Sequence, residues 1–306
     1  MDDPHAQHWR ASVSTPDTAG GTKQPVIIIG AGRSGTNALR DAICTLRDFH
    51  TWPCDEINYV WRHGNKEVAT DQFSRAHARP DVSSFIREAF EKQAHKDQTA
   101  TLVEKTCANS VRVGFVHEVF PDAQFVHITR DGRDVAASAI DRWTAPLDVP
   151  YLAAKARYVP PSDLPYYASR YLGSRVAKVR SSENRLSWWG PKFEGMENLT
   201  PDTPLVEVAA RQWERSVTLS VEQLAPIPKD QVLNVSYRDL VEDPRSTLST
   251  ITRFLGEDIE DSALSIAADT IRSGSVGKWR SVLSAEQIET ISPIVQPALA
   301  LIGIDE

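Results

Sequence analysis

The sequence predicts an α/β fold, a central parallel sheet with helices on both faces, and two stretches carry that prediction. The first is Pro25-Val26-Ile27-Ile28-Ile29, a run of consecutive β-branched residues that reads as a strand buried on both sides. Gly30, Gly32 and Gly35 follow at once, and then a helical pattern of Leu39, Ile43 and Leu46. The second is Gln124 to Thr129, again a strand, followed by the charged turn Arg130-Asp131-Gly132-Arg133 and a helix reaching Ser138. Strands alternating with helices imply a parallel sheet whose ligands bind at the carboxyl ends of the strands. Arg130 is expected there, with Ser138 two turns into the next helix facing the same crevice.

The other elements follow in order. Residues 1–24 are polar and rich in Asp, Thr, Gly and Pro, and read as a loosely attached tail ahead of one domain over 25–306. The first helix is expected to run to about Arg47, and a connection from Phe49 to Glu56 brings in Asp55-Glu56. Val82, Phe85, Ile86, Ala89 and Phe90 give residues 81–97 an amphipathic helical face. Thr101 to Lys105 reads as a buried strand, and Asn109 as the cap of a helix carrying Val113, Val116 and Val119 that Pro121 ends. Residues 141–200 break the alternation and read as an insertion for binding an acceptor. Within it, Arg170, Arg175, Lys178, Arg180, Arg185 and Lys192 stand against the single acid Glu183 between Tyr166 and Phe193, with aromatics interleaved. That pattern fits either a solvated basic face over packed aromatics or a cap for an anionic ligand. Alternation resumes with a helix over 204–224, a strand over 231–237, a helix over 247–255 stopped by Gly256, and a helix over 263–271. A loop over 272–280 and a last helix over 285–301 complete the chain.

Composition narrows the function. The chain has 306 residues, 41% hydrophobic and 25% charged, with a net charge of −7 that argues against a general nucleic-acid binder. No apolar run reaches the roughly 18 residues of a membrane span, and the first residues lack the apolar core of a signal peptide. Cys44, Cys54 and Cys107 have no zinc-like spacing and cannot all pair; each reads as a small buried hydrophobe, as expected in a reducing cytoplasm.

A strand, a glycine-rich turn and a helix start make a cradle for an anion, because the backbone can approach closely and the first N–H groups of the helix lack partners. Three ligand classes use such loops. Gly30, Gly32 and Gly35 satisfy the dinucleotide pattern, but Asp55 and Glu56 come late for the ribose-binding acid. A nucleoside-triphosphate loop requires Lys and then Ser or Thr after Gly35, where this chain has Thr36 and Asn37. Arg33-Ser34-Gly35-Thr36 places the cation earlier, and in this it resembles the 5′-phosphosulfate loop of sulfotransferases.

Four segments in order then give the chain a resemblance to sulfotransferases that use 3′-phosphoadenosine 5′-phosphosulfate (PAPS). They are Arg33-Ser34-Gly35-Thr36, Arg130-Asp131-Gly132-Arg133 with Ser138, Tyr237-Arg238-Asp239-Leu240, and Gly274 to Arg280. The first two look like those of bacterial-type and tyrosylprotein-sulfotransferase-like members. The resemblance implies a P-loop-like sulfotransferase fold and PAPS as donor, with adenosine 3′,5′-bisphosphate (PAP) as product and no metal. It places Arg33, Ser34, Gly35, Thr36 and Asn37 on the 5′-phosphate, Arg130 and Ser138 on the 3′-phosphate, and Tyr237 at the adenine. Arg272, Ser273 and Gly274 are expected to close over the 3′-phosphate. Two anion groups need two cradles, and arginine suits forked contact with oxyanions.

The reaction so implied is in-line attack by an acceptor hydroxyl or amine on the sulfuryl group. Arg33 then neutralises the charge developing on the leaving phosphate, and Lys105 contacts the transferring group. The histidine that many small-molecule members carry after Lys-Thr is absent here, since the chain reads Lys105-Thr106-Cys107. The resemblance to members using an acidic pair makes Glu56 the candidate base, with His50, His63 and His117 as alternatives. The interleaved aromatics favour a carbohydrate or glycolipid hydroxyl, or another small molecule, as acceptor. The competing reading is a nucleotide-binding protein of P-loop kinase or dinucleotide-dependent type.

Overall fold

The computed structural model of the chain describes residues 23–97, 101–144, 157–169, 189–199, 202–272 and 274–304. Five strands form one parallel sheet: β1 (Val26–Ile29), β2 (Phe49–Thr51), β3 (Thr101–Lys105), β4 (Gln124–Thr129) and β5 (Val232–Ser236), in spatial order β2-β3-β1-β4-β5. The strand that leads into the glycine-rich loop therefore lies at the centre. Alternate β1 residues feed opposite layers, as strand geometry requires. Ile27 and Ile29 pack with Trp61, Phe90 and Phe115 on one face, Val26 and Ile28 with Leu39, Ile43 and Leu248 on the other. Each fully buried aliphatic side chain contributes about 1.5–3 kcal/mol, so these two layers fix the strand's register and facing.

Helix α1 (Thr36–Ile43) follows β1, and α2 (Asn58–Trp61) and α3 (Pro80–Asp97) lie between β2 and β3. Helix α4 (Val113–Val119) precedes β4, α5 (Gly132–Thr144) follows it, and α6 (Leu205–Leu224) leads to β5. After β5 come α7 (Tyr237–Glu242), α8 (Pro244–Phe254), α9 (Asp261–Ala268), α10 (Trp279–Val282) and α11 (Ala285–Leu301). A third apolar layer joins α5, α6 and α11 through Trp213, Val217, Ile291 and Val295. Asp243 caps α8 by accepting from Ser246 N, Pro244 occupies its first turn, and Gly256 leaves at φ 74°.

Several expectations are corrected. Helix α1 stops at Ile43 rather than near Arg47, and the connection after it holds the short edge strand β2, paired in register with β3. Asn109 caps no helix; it sits within a 3-10 turn, Cys107–Val111, and its side chain turns back to Glu104. Tyr237 begins a helix rather than ending the strand, and the 272–280 loop is cut short by α10. Much of the 141–200 segment, including Arg170 to Arg185, lies outside the described residues, as does the 1–22 stretch. Among the described residues no helix is long and apolar enough to cross a membrane.

Candidate active site

The loop joining β1 to α1 stands at the middle of the sheet's carboxyl edge. Gly35 is the N-cap residue of α1 at φ 92°, and a Cβ there would lie 2.3 Å from the Tyr237 ring, so both conformation and space demand glycine. Arg33 also adopts a left-handed conformation, φ 71°. No side chain caps α1, so its first backbone N–H groups are presented at the cleft. Gly32 faces the Trp189 ring, which would stand 3.2 Å from an added Cβ.

Strand register builds the second cradle. Thr129 pairs with Ser236, so Arg130 and Tyr237 leave the sheet side by side, and the guanidinium lies 4.2 Å from the Tyr237 ring centroid. Arg130 Nη1 donates to Arg33 O at 2.9 Å, and Nη2 to Ser275 O at 2.6 Å. Trp213 Nε1 donates to Arg130 O at 3.2 Å, and a Cβ on Gly132 would strike that same indole at 2.4 Å. Ser138 Oγ accepts from Arg33 Nε at 2.9 Å, so the residues expected on the two phosphates meet. Asp134 holds the loop before α10, accepting from Gly277 N at 2.8 Å and Trp279 N at 3.0 Å.

On the other side of the loop stands the acidic pair. Ile28 pairs with Lys105, which puts the lysine level with the end of β1. Its ammonium donates to Asp55 Oδ1 at 3.0 Å and Glu56 Oε1 at 3.2 Å, while Cys107 N donates to the same Glu56 oxygen at 3.2 Å. Arg40 of α1 clamps Asp55 from behind, through its carboxylate at 3.0 Å and its carbonyl at 3.2 Å. Burial disfavours the Asp55 carboxylate, yet Lys105 and Arg40 outweigh it and hold the group well below the usual carboxylate range. Burial likewise disfavours the Lys105 ammonium, and the surrounding Cys107, Glu56 and Asp55 raise it above its ordinary value. The Cys107 thiol is pushed up to about 12 by burial and by Glu56. A thiol so protonated is no proton acceptor at neutral pH.

These groups line one cleft of about 940 Å³, together with Thr36, Asn37, Asn58, Tyr59 and Trp189. Of the sequence-predicted residues, Arg33, Gly35, Thr36, Asn37, Glu56, Lys105, Arg130, Ser138 and Tyr237 all line it. Ser34 is buried beneath the loop, Arg272 and Gly274 are exposed outside the lining, and Ser273 lies outside the described residues. His50, His63 and His117 do not line the cleft. Asp134, Ser275, Lys278 and Trp189 do, and sequence reasoning missed them. Asp134 stands one residue beyond the Arg-Asp-Gly-Arg turn, Ser275 and Lys278 lie within the Gly274–Arg280 segment, and Trp189 is among the aromatics of the 141–200 segment, yet none was singled out as a site residue. Two buried polar atoms here, Ser34 Oγ and Arg130 Nε, have no hydrogen-bond partner among the described residues. Such orphans suit a ligand that brings oxygen acceptors. Among the described residues no group of three or more His, Cys, Asp or Glu is placed to hold a metal ion.

Comparison with known proteins agrees with this architecture. A search of curated proteins gives no match. Among solved structures, the sulfotransferase domain from the curacin biosynthetic pathway aligns with a TM-score of 0.53 at 13% identity, covering 93% of this chain and 99% of that one. Sulfotransferase STF9 from Mycobacterium avium aligns with a TM-score of 0.54 at 12% identity, over 93% and 78% of the two chains. Mouse sulfotransferase SULT7A1, solved in complex with PAP, gives 0.50 at 14% identity over 90% and 84%. These likenesses establish a shared sulfotransferase fold. The family model described as the sulfotransferase family matches residues 25–154 and 177–261, well over half of the sequence, and the chain belongs to that family of enzymes.

Proposed function

We propose that the chain moves a sulfuryl group from PAPS to the hydroxyl of a carbohydrate, glycolipid or other small molecule, with Glu56 as the base. One observation carries the reading: two cation-bearing strand ends open into a single cleft and are joined through Arg130, beside an acidic pair held by a buried lysine. The orphaned Nε of Arg130, a residue that lines the cleft, fits an anionic donor. The complex of the mouse neighbour with PAP supports the same donor.

When bound, PAPS supplies an activated sulfuryl group on a phosphate that can leave. Ser34 to Asn37 and the N-terminus of α1 hold the 5′-phosphate, Arg130 and Ser138 hold the 3′-phosphate, and Tyr237 flanks the adenine. Glu56 accepts the proton of the acceptor hydroxyl as its oxygen bonds to sulfur and the sulfur–oxygen bond to phosphate breaks. Arg33 offsets the charge growing on the phosphate, and Lys105 the charge on the transferring group. Lys105 also donates to both carboxylates and so holds the Glu56 oxygen in place beside Asp55. Tyr59 and Trp189 offer flat faces to a sugar ring or an aryl group on the acceptor side.

Calorimetric titration with PAP, against 5′-AMP and ATP–magnesium as controls, tests the donor. Tight binding that requires the 3′-phosphate is expected. Binding that ignores it, or that prefers ATP–magnesium, would replace this reading with the kinase-like one.

A further inference from the structure

A buried polar network lies beneath the acidic pair, and the chemistry above makes no use of it. Glu104 on β3 is 1% exposed, and both of its carboxylate oxygens accept hydrogen bonds. The Thr106 hydroxyl donates to one at 2.5 Å, and Asn109 Nδ2 to the other at 2.9 Å. Thr106 Oγ1 in turn accepts from Ile57 N–H at 3.2 Å. Asn109 Oδ1 accepts from Arg112 Nε at 2.9 Å, and Arg112 Nη2 donates to Asn58 Oδ1 at 2.6 Å. Two branches thus leave one carboxylate and end on the two residues that follow Glu56, one at the Ile57 backbone and the other at the Asn58 side chain.

We infer that Glu104 is a positioning residue, holding the Asp55-Glu56 loop in reacting geometry through Thr106 on one branch and Asn109 and Arg112 on the other. The inference rests on the reading of Glu56 as base. Hydrogen-bond direction is what makes the carboxylate necessary: only the ionised form, which prevails above about pH 7 where the kinetic and exchange readings are taken, offers an acceptor oxygen to both donors. Thr106 has one proton, and donating it to Glu104 leaves its lone pair for the Ile57 N–H. Asn109 must turn its amide nitrogen to Glu104 in order to present its oxygen to Arg112. Glutamine at position 104 has nearly the same shape but only one acceptor oxygen. If its amide nitrogen faces Asn109, two donors meet, and flipping Asn109 moves the clash to Arg112. If the nitrogen faces Thr106, the hydroxyl proton has no acceptor but the direction of Ile57 N–H. Either way one branch releases the loop, and a displacement of about 1 Å at a reacting group is enough to cost roughly 10²-fold in rate.

The test compares Thr106→Val, which keeps shape and loses the hydroxyl, with Thr106→Ser, which keeps it, and with Glu104→Gln. Three quantities are read on the full chain with PAP bound or PAPS supplied. They are amide hydrogen exchange at Ile57, PAP affinity, and conversion of PAPS to PAP in the presence of mixed phenols and aryl glycosides. Thr106→Val is expected to speed Ile57 exchange and to lower kcat about tenfold or more with PAP affinity unchanged, and Thr106→Ser to restore both. Glu104→Gln is expected to behave as Thr106→Val, which carries the test alone if the buried Gln prevents folding. Wild-type Ile57 exchange in Thr106→Val overturns the inference. So does a loss of PAP affinity that keeps step with kcat, because general loosening of the fold moves both. Glu56→Gln separates the two readings. Normal turnover in that variant removes Glu56 as base, whereas a crippled Glu56→Gln beside normal kcat in Thr106→Val removes the role of Glu104 and leaves the base.

Discussion

Arg130 donates to the main-chain carbonyl of Arg33 at 2.9 Å, so the end of β4 is fastened to the loop that follows β1. A second fork nitrogen reaches Ser275 O at 2.6 Å, and the planar group rests on Tyr237. One guanidinium therefore ties together three segments far apart in sequence. Lysine cannot do this, having one nitrogen and no plane to stack. The ends of β4 and β1 are thereby fastened to each other and to the Ser275 loop.

Arg130→Ala should accordingly weaken PAP binding by about 1.5–3 kcal/mol, the loss of a charge-assisted hydrogen bond, or roughly 10- to 150-fold in Kd. Calorimetry measures it, and an unchanged Kd would remove Arg130 from the donor site. Arg130→Lys should fall between, since the charge persists while the Arg33 and Ser275 ties cannot both be made.

Glu56→Gln should lower turnover by roughly 10²–10⁴ while PAP binding stays as in the wild type. The amide oxygen can still accept from Cys107 N, and Asp55 still holds Lys105, so the loop keeps its shape and only the proton acceptor is gone. Near-normal steady-state turnover would exclude Glu56. The histidines are poor substitutes: none of His50, His63 and His117 lines the cleft, and His63 is engaged by Asp163 at 2.9 Å.

What the sequence disclosed was local. Arg33, Arg130 and Ser138 could be expected at the cleft because each stands at a fixed offset from a strand end, and strand ends announce themselves by β-branched runs and glycine. Lys105 was expected there only through the family resemblance. The Gly274–Arg280 segment was recognised as a stretch, but which of its side chains face the cleft, and that Trp189 joins them, is set by tertiary packing: Gly277 is joined to Asp134 across 143 positions. The edge strand β2 is three residues with an exposed His50 in the middle, too short for any periodicity, and pairing with β3 and burial of Phe49 in the core hold it. Asn109 misled for a physical reason too. Its side chain suits a helix cap in isolation, but its oxygen is taken by the Arg112 guanidinium, a stronger donor than a backbone N–H, while its nitrogen donates to the buried Glu104.

Asp134→Asn should loosen the loop before α10. The carboxylate accepts from two backbone N–H groups, and an amide would turn its own N–H₂ against one of them. A donor affinity lower by about 1–2 kcal/mol is expected, with faster proteolysis between Arg272 and Arg280. Unaltered affinity beside faster cleavage would show that donor binding does not require this loop to be held.

The pH dependence of folding should carry the signature of Glu104. Burial pushes its carboxyl from 4.5 up to about 7, against the hydrogen bond from Thr106 and the charges of Lys105 and Arg112. Below pH 4.5 the native and unfolded chains both hold this proton, and above 7 neither does. Between those values only the native chain keeps it, so this group makes stability decline as pH rises through that window, by roughly 3 kcal/mol in all. Glutamine does not titrate. In urea unfolding at pH 5 to 8, the stability of Glu104→Gln relative to the wild type should therefore improve steadily toward pH 7 and then level off. Parallel profiles would mean that the carboxyl ionises at its ordinary pH, and that the Thr106 and Asn109 donors, with Lys105 and Arg112 nearby, compensate its burial in full.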